Sequence, residues 1–90
     1  PTPAICGTPT AAADHLIHTA ESARGFYAGA VGWCDNTGDG EYLVAIRCAE
    51  IWGRQGRTWA GGGIVADSDP EQELAETTAK LQTILRSLGL

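Results

Sequence analysis

The chain has 90 residues, and its 11 acidic and 6 basic side chains give a net charge of −5. This length allows one domain with a modest core, and the lack of a Lys/Arg cluster argues against a nucleic-acid or anionic-membrane partner. No apolar run reaches the roughly 18 residues that cross a bilayer and no signal-peptide pattern is present, so we expect a cytoplasmic protein.

A helix and a three-stranded antiparallel meander are predicted for the first two thirds of the chain. The opening segment "PTPAICGTPT" is extended or turning because of its prolines. Thr10 can cap a helix over "AAADHLIHTAE", whose apolar residues recur at helical spacing. The strands are predicted in "GFYAGAVGWCD", "EYLVAIRCAEI" and "RTWAGGGIV", with turns at "NTGDG" and "GRQG" between them.

A long helix from about Pro70 to Leu88 is predicted to close the chain. Ser68 or Asp69 caps it, and a proline suits its first turn. Its leucines fall on one face, within an arc of roughly 60°: Leu74, Leu81, Leu85 and Leu88. The predicted fold class is therefore α+β, with a helix, a meander and a long C-terminal helix.

Several short motifs favour a structural interpretation over a functional one. Residues 61–66 fit the dinucleotide pattern G-x-G-x-x-A, but no second parallel strand follows, and acidic residues at the helix start would repel a pyrophosphate. The segment "DNTGDGE" begins like a calcium loop, yet its twelfth position is Ile46. His15 and His18 lack a third ligand, and the three cysteines form no CxxC pair, which favours reduced thiols.

Arg47 is the first candidate functional residue. In the predicted second strand it alternates onto the same face as Leu43, Ala45 and Ala49, so its guanidinium would project from an apolar row. A charge in that place indicates an anionic ligand. The pattern alone leaves open an arginine in solvent or one paired within the domain.

Glu73, Glu76 and Lys80 form the second candidate feature. At about 100° per residue they share an arc of roughly 60° beside the leucine stripe. Two carboxylates at i and i+3 can share a hard cation such as Mg²⁺, which leaves its other positions to water and an anionic substrate. The alternative is a solvated acidic face whose Glu76–Lys80 pair contributes about 0.2–0.5 kcal/mol.

Four blocks of the sequence resemble, in order and spacing, the C-terminal region of the chorismate-utilising enzymes, and most of all their isochorismate synthase branch. The blocks are "PTPAICGTPT", "GFYAGAVGWCD..GDGE", "AIRCA" and "AGGGIVADSDPEQELAETTAKL". The likeness covers essentially all 90 residues. Members of that family are several times longer, so the resemblance implies that residues 1–90 are the C-terminal part of a chorismate-binding domain whose partner is the remaining N-terminal portion.

The resemblance also implies roles for individual residues. Glu73 and Glu76 would belong to a Mg²⁺ site, and Arg47 and Lys80 would contact the carboxylates of chorismate. The remaining residues assigned to substrate binding are Gly61, Gly62 and Gly63, whose backbone N–H groups face a carboxylate, together with Tyr27, Ala4 and Ile5. Glycine suits this role because no Cβ blocks the approach.

The implied reaction is the Mg²⁺-dependent conversion of chorismate to isochorismate, in which water adds at C2 while the C4 hydroxyl leaves. The family's base, a lysine, and its acid, a glutamate, lie upstream of the matched region, so we expect the 90-residue chain alone to be inactive. Anthranilate, aminodeoxychorismate and salicylate synthases share most of these residues, although Ala4 favours isomerisation without loss of pyruvate. The pathway, siderophore or menaquinone, stays open.

A function from another class also stays open. The edges of a small antiparallel sheet can pair with another chain, so the 90 residues could form a non-catalytic module that self-associates.

Overall fold

The computed structural model describes residues 2–90, which form two helices and four strands in the order α-β-β-β-β-α. The elements are α1 (Thr10–Ala20), β1 (Ala30–Cys34), β2 (Gly40–Val44), β3 (Ala49–Trp52), β4 (Gln55–Thr58) and α2 (Pro70–Ser87). They fall into two compact units, with α1, β1 and β2 in the residues up to Ala45 and β3, β4 and α2 from Ile46 onward. The predicted α+β class is confirmed.

The strands form two separate antiparallel hairpins instead of one three-stranded meander. In the first unit Ala30 pairs with Val44, and in the second Ala49 pairs with Thr58. The predicted second strand is interrupted between Val44 and Ala49, where Arg47 has a φ of 51°. A residue in this left-handed conformation cannot continue an extended strand, so the chain leaves one hairpin and starts another.

The first hairpin closes through a turn organised by one carboxylate. Asp35 accepts hydrogen bonds from the backbone N–H of Thr37 at 2.9 Å, from its hydroxyl at 2.7 Å and from the N–H of Asp39 at 3.1 Å. These bonds, led by the Thr37 hydroxyl, lower the pKa of the Asp35 carboxyl. Gly38 has a φ of 90°, which a glycine adopts without steric cost. The turn predicted for "NTGDG" is confirmed.

The helix starts differ in how they are capped. Asp69 precedes α2 and accepts a hydrogen bond from the N–H of Gln72 at 2.9 Å, as its position before Pro70 predicted. Thr10 does not cap α1, because it already lies in the first turn and Pro9 precedes the helix without a side-chain hydrogen bond. The Thr10 hydroxyl instead donates to the carbonyl of Gly7 at 3.3 Å.

None of the residues that the structure describes is fully buried. On α2 the half-buried positions recur at helical spacing, namely Glu73, Thr77, Lys80, Leu81, Ile84 and Leu85. Leu74, which we placed in the predicted leucine stripe, is 68% exposed. The inner face of α2 is thus rotated towards the side that carries Glu73 and Lys80. Within residues 2–90, neither helix is long and apolar enough to cross a membrane.

Candidate functional site

The candidate site lies in the second unit, where an irregular segment leads from β4 into α2. The triple glycine follows the end of β4 at Thr58, so it belongs to this irregular segment, called the glycine turn below, and not to the strand predicted for it. The N–H of Val65 donates to the hydroxyl of Ser68 at 2.9 Å, and the N–H of Ser68 donates to the carbonyl of Val65 at 3.0 Å. This reciprocal pair fixes the approach of the chain to the cap residue Asp69.

Gly62 marks the point where the charged side chains of α2 converge. The position that a Cβ would take on this glycine lies 3.0 Å from Glu73 Oε2, 3.9 Å from Lys80 Nζ and 4.0 Å from Glu76 Oε1. Residues three and four apart share a face of a helix, so the spacing of these side chains along α2 directs all of them towards the turn. Two carboxylates, an ammonium and bare backbone therefore share one small volume.

Lys80 links α2 to the glycine turn. Its ammonium donates hydrogen bonds to Oε1 of the Glu76 carboxylate and, at 3.0 Å, to the carbonyl oxygen of Gly61. The Lys80 side chain is 22% exposed, whereas that of Glu76 is 56% exposed. The Lys80 side chain is thus mostly covered, while the carboxylate it contacts opens to solvent.

The electrostatics of the cluster favour an ionised Glu76. The Lys80 hydrogen bond is the main cause that lowers the pKa of the Glu76 carboxyl, followed by the Lys80 charge, with a smaller contribution from the charge of Arg47. Arg47 is therefore close enough to act on Glu76. It does so from the bend before β3, so its predicted place on an apolar strand face is wrong.

The donor set fits a hard divalent cation that takes few protein ligands. Within residues 2–90 no three His, Cys, Asp or Glu side chains are grouped so that they could hold a metal. The two carboxylates of Glu73 and Glu76 beside Gly62 instead match the one or two that Mg²⁺ typically takes, with the remaining positions left to water and an anionic ligand. The formal charges of Glu73, Glu76 and Lys80, together with that of Arg47, which acts on Glu76, sum to zero, so the site suits a cation that arrives with an anion.

The other residues proposed from the sequence are Gly63, beside this cluster in the chain, and three residues of the first unit. A Cβ on Gly63 would meet no atom within 4 Å, so its surroundings are open. Ile5 and Tyr27 lie in the first unit, where both line a groove of about 610 Å³. Ala4 is exposed in the preceding turn and does not line that groove.

Two features of the structure were missed in the sequence. In the first unit Arg24 donates to both carboxylate oxygens of Glu21 at 2.8 Å and lies 5.5 Å from the centre of the Tyr27 ring. That hydrogen bonding lowers the pKa of Glu21. The opposite charges at i and i+3 after α1 could have indicated the pair.

The second missed feature is an apolar groove of about 330 Å³ in the second unit. The leucines at the end of α2 form part of it together with β3 and β4. Its lining includes Ile51, Arg57, Leu85, Leu88 and Leu90.

Comparison with known protein families identifies the class to which this chain belongs. A family model described as chorismate binding enzyme matches residues 1–89. Because the match spans nearly the whole chain, the chain belongs to the family of chorismate-binding enzymes.

Individual relatives indicate which branch of that family the chain resembles, namely the isochorismate synthases. MenF of Mycobacterium tuberculosis is 59% identical over 92 residues, and the isochorismate synthase DhbC of Bacillus subtilis is 56% identical over 91 residues. The chain is covered completely in both cases but spans only 25% and 23% of those proteins. A crystal structure of DhbC from Bacillus anthracis superposes with a TM-score of 0.94 at 53% identity, covering 100% of this chain and 24% of the other.

Proposed function

We propose that this chain forms the chorismate-binding and Mg²⁺-binding part of an isochorismate synthase. The convergence of Glu73, Glu76 and Lys80 on Gly62 is the observation that carries the proposal. Membership in the chorismate-binding family supports the substrate, and DhbC of Bacillus subtilis, which is named an isochorismate synthase, supports the reaction.

The acidic side chains would hold the metal in this proposal. Glu73 and Glu76 converge from one helix face, and the half-buried position of Glu73 shields part of the site from solvent. When bound there, Mg²⁺ supplies charge neutralisation for a substrate carboxylate and fixes the substrate in place. The two protein carboxylates leave most of the coordination sphere to that substrate and to water.

The cationic side chains would take the carboxylates of chorismate. Arg47 offers a planar fork that fits both oxygens of one carboxylate, and Lys80 offers a point charge on a flexible stem. A site that holds the two carboxylates of the ring and its side chain in one orientation lowers the barrier by positioning.

The glycine turn would contribute backbone donors with a defined direction. The carbonyl of Gly61 accepts from Lys80 at 3.0 Å, and the peptide bond that follows it is trans. In a planar trans peptide the N–H points opposite to the carbonyl, so the N–H of Gly62 faces away from Lys80. The turn and the lysine would then bind different oxygens of the substrate.

The proton transfers of the reaction need residues outside this chain. Adding water at C2 requires a base, and release of the C4 hydroxyl requires an acid. The only lysine of the chain, Lys80, already contacts Glu76 and Gly61. We propose that both catalytic groups come from the part of a longer protein that precedes this segment, since the relatives are about four times as long.

A non-catalytic, self-associating module is the second candidate function. Several large apolar side chains of the described residues are open to solvent, among them Phe26 at 79%, Ile64 at 71% and Leu90 at 80% exposure. Exposed apolar side chains mark an interaction surface where they form a contiguous patch. This candidate predicts a chain that assembles without binding chorismate or Mg²⁺.

The test measures isochorismate formation by the full-length protein while Mg²⁺ is titrated. We expect Glu76→Gln to raise the Mg²⁺ concentration needed for half-maximal activity by at least the ~10–100-fold known for outer-shell partners of metal sites. Glu71→Gln is the matched control, because Glu71 lies in the first turn of the same helix and is exposed. An unchanged Mg²⁺ dependence in Glu76→Gln, or no isochorismate from the unaltered protein, would contradict the proposal.

A further inference from the structure

Lys80 has a contact that its proposed role as a carboxylate ligand of the substrate does not explain. Its ammonium rests on Oε1 of Glu76, one of the two side chains assigned to the metal. The position that a Cβ would take on Gly62 lies 4.0 Å from that same Oε1 and 3.9 Å from Nζ of Lys80. The ammonium and the carboxylate oxygen thus face the volume in which Glu73 and Glu76 converge.

We propose that Lys80 is a tethered counter-ion for Glu76, and that its ammonium must leave the Glu76 carboxylate before a divalent cation can bind there. This inference rests on the proposed function, because it concerns the same metal site. It assigns Lys80 a positioning role in the ligand-free protein in addition to its place beside the substrate.

Charge and geometry support the exchange. An ammonium and a divalent cation repel each other, so they cannot both contact one carboxylate oxygen without a large electrostatic cost. The four-carbon stem of lysine is flexible, and the carbonyl of Gly61 at 3.0 Å offers the ammonium a second acceptor when it leaves Glu76. Lys80 can therefore release the carboxylate without losing all of its contacts.

The exchange makes metal and anion binding depend on each other. Once it has left Glu76, the Lys80 ammonium has lost a negative partner and is available to a carboxylate of the ligand. A carboxylate ligand that takes Lys80 in turn exposes Glu76 to the cation, and this coupling is necessarily reciprocal. The cation alone should then bind more weakly than it does together with a dicarboxylate.

Mn²⁺ binding to the full-length protein without substrate, measured by electron paramagnetic resonance, tests the inference. Lys80→Met removes the ion pair on the solvent-exposed Glu76 carboxylate and should tighten Mn²⁺ binding by roughly 1.5–5-fold. Lys80→Arg keeps a cation on the carboxylate and should show no such gain. Arg47→Met removes a charge that acts on Glu76 more weakly than Lys80 does, so its gain should be smaller than that of Lys80→Met.

The inference would be overturned if Lys80→Met bound Mn²⁺ no more tightly than the unaltered protein while having a similar unfolding midpoint. A lack of Mn²⁺ binding in both proteins would also overturn it. If Lys80→Met does not fold, a crystal structure of the unaltered protein with Mn²⁺ alone decides the question. We expect Nζ of Lys80 to have left Glu76, and a metal on Glu76 with Nζ still bonded to Oε1 would refute the exchange. No turnover is measured, so a failure to make isochorismate would refute the proposed function without changing these results.

Discussion

Arg47 combines a strained backbone with a proposed substrate contact, and substitutions can separate the two. Its φ of 51° lies in the left-handed region, which costs a residue with a Cβ about 1–2 kcal/mol. Glycine avoids that cost, but it lowers the stability of the fold by about 0.5–1 kcal/mol relative to alanine, because it loses more conformational entropy on folding. Arg47→Gly should therefore be more stable than Arg47→Ala by roughly 0.5–1 kcal/mol.

The activity of the two variants should fall equally. Both remove the guanidinium that we propose binds a substrate carboxylate. A charged hydrogen bond of that kind is worth about 1.5–3 kcal/mol, so we expect a roughly 10–150-fold loss in kcat/KM for chorismate. Arg47→Lys keeps the charge without the fork, so we expect an intermediate loss.

The assay pairs chemical denaturation with kinetics for the full-length protein and the three variants. Equal stability of the Gly and Ala variants would mean that the backbone at residue 47 is not strained. Activity near that of the unaltered protein in both would mean that the guanidinium does not bind the substrate.

Two further predictions concern carboxyl groups away from the candidate metal site. Arg24→Gln should raise the pKa of the Glu21 carboxyl, measured by ¹³C NMR, towards its usual value of 4.5, because the Arg24 hydrogen bond is the main cause that lowers it. Because the pKa of Glu21 is lowered in the folded protein, the Glu21–Arg24 pair should stabilise the fold above pH 4.5 and lose that effect as the pH falls through the folded pKa. An unchanged Glu21 pKa in Arg24→Gln would show that Arg24 is not the cause. Thr37→Val should likewise raise the pKa of Asp35 towards 3.8, whereas Thr37→Ser keeps the hydroxyl and should leave it low; equal values in the two variants would show that the hydroxyl is not the cause.

The elements that local signals define were predictable from the sequence. Asp69 and Pro70 mark the start of α2 by capping and by the fixed φ of proline, and the structure has both in these roles. The interruption between β2 and β3 was not predictable in the same way. It depends on a left-handed arginine, and only glycine, asparagine and aspartate signal that conformation in a sequence.

The candidate site was predictable in its composition but not in its contacts. The helical period alone places Glu73, Glu76 and Lys80 on neighbouring parts of one face. The bond from Lys80 to the carbonyl of Gly61 joins residues 19 positions apart, so it depends on how the turn folds back over α2. The same fold-back brings Gly62 to Glu73, which no pattern within the helix could show.

The exposed apolar surface leads to a last prediction, for the 90-residue chain expressed by itself. Residues 2–90 contain no fully buried side chain, and the large apolar residues exposed include Phe26, Ile64, Leu74 and Leu90. A chain of this size has little core with which to offset the entropy of folding, and exposed apolar side chains promote association where they adjoin. We expect the isolated chain to self-associate.

The isolated chain should also make no isochorismate with or without Mg²⁺. General acid–base catalysis contributes about 10²–10⁴-fold, and we place both catalytic groups outside these residues. Sedimentation would give the size of the particle, and a chorismate consumption assay would give its activity. Replacing exposed Phe26 and Leu90 by serine offers a matched control, because these changes should reduce association without creating activity. A monodisperse monomer that converts chorismate would show that the chain has its own acid and base. It would refute our proposal that the catalytic groups come from another part of a longer protein.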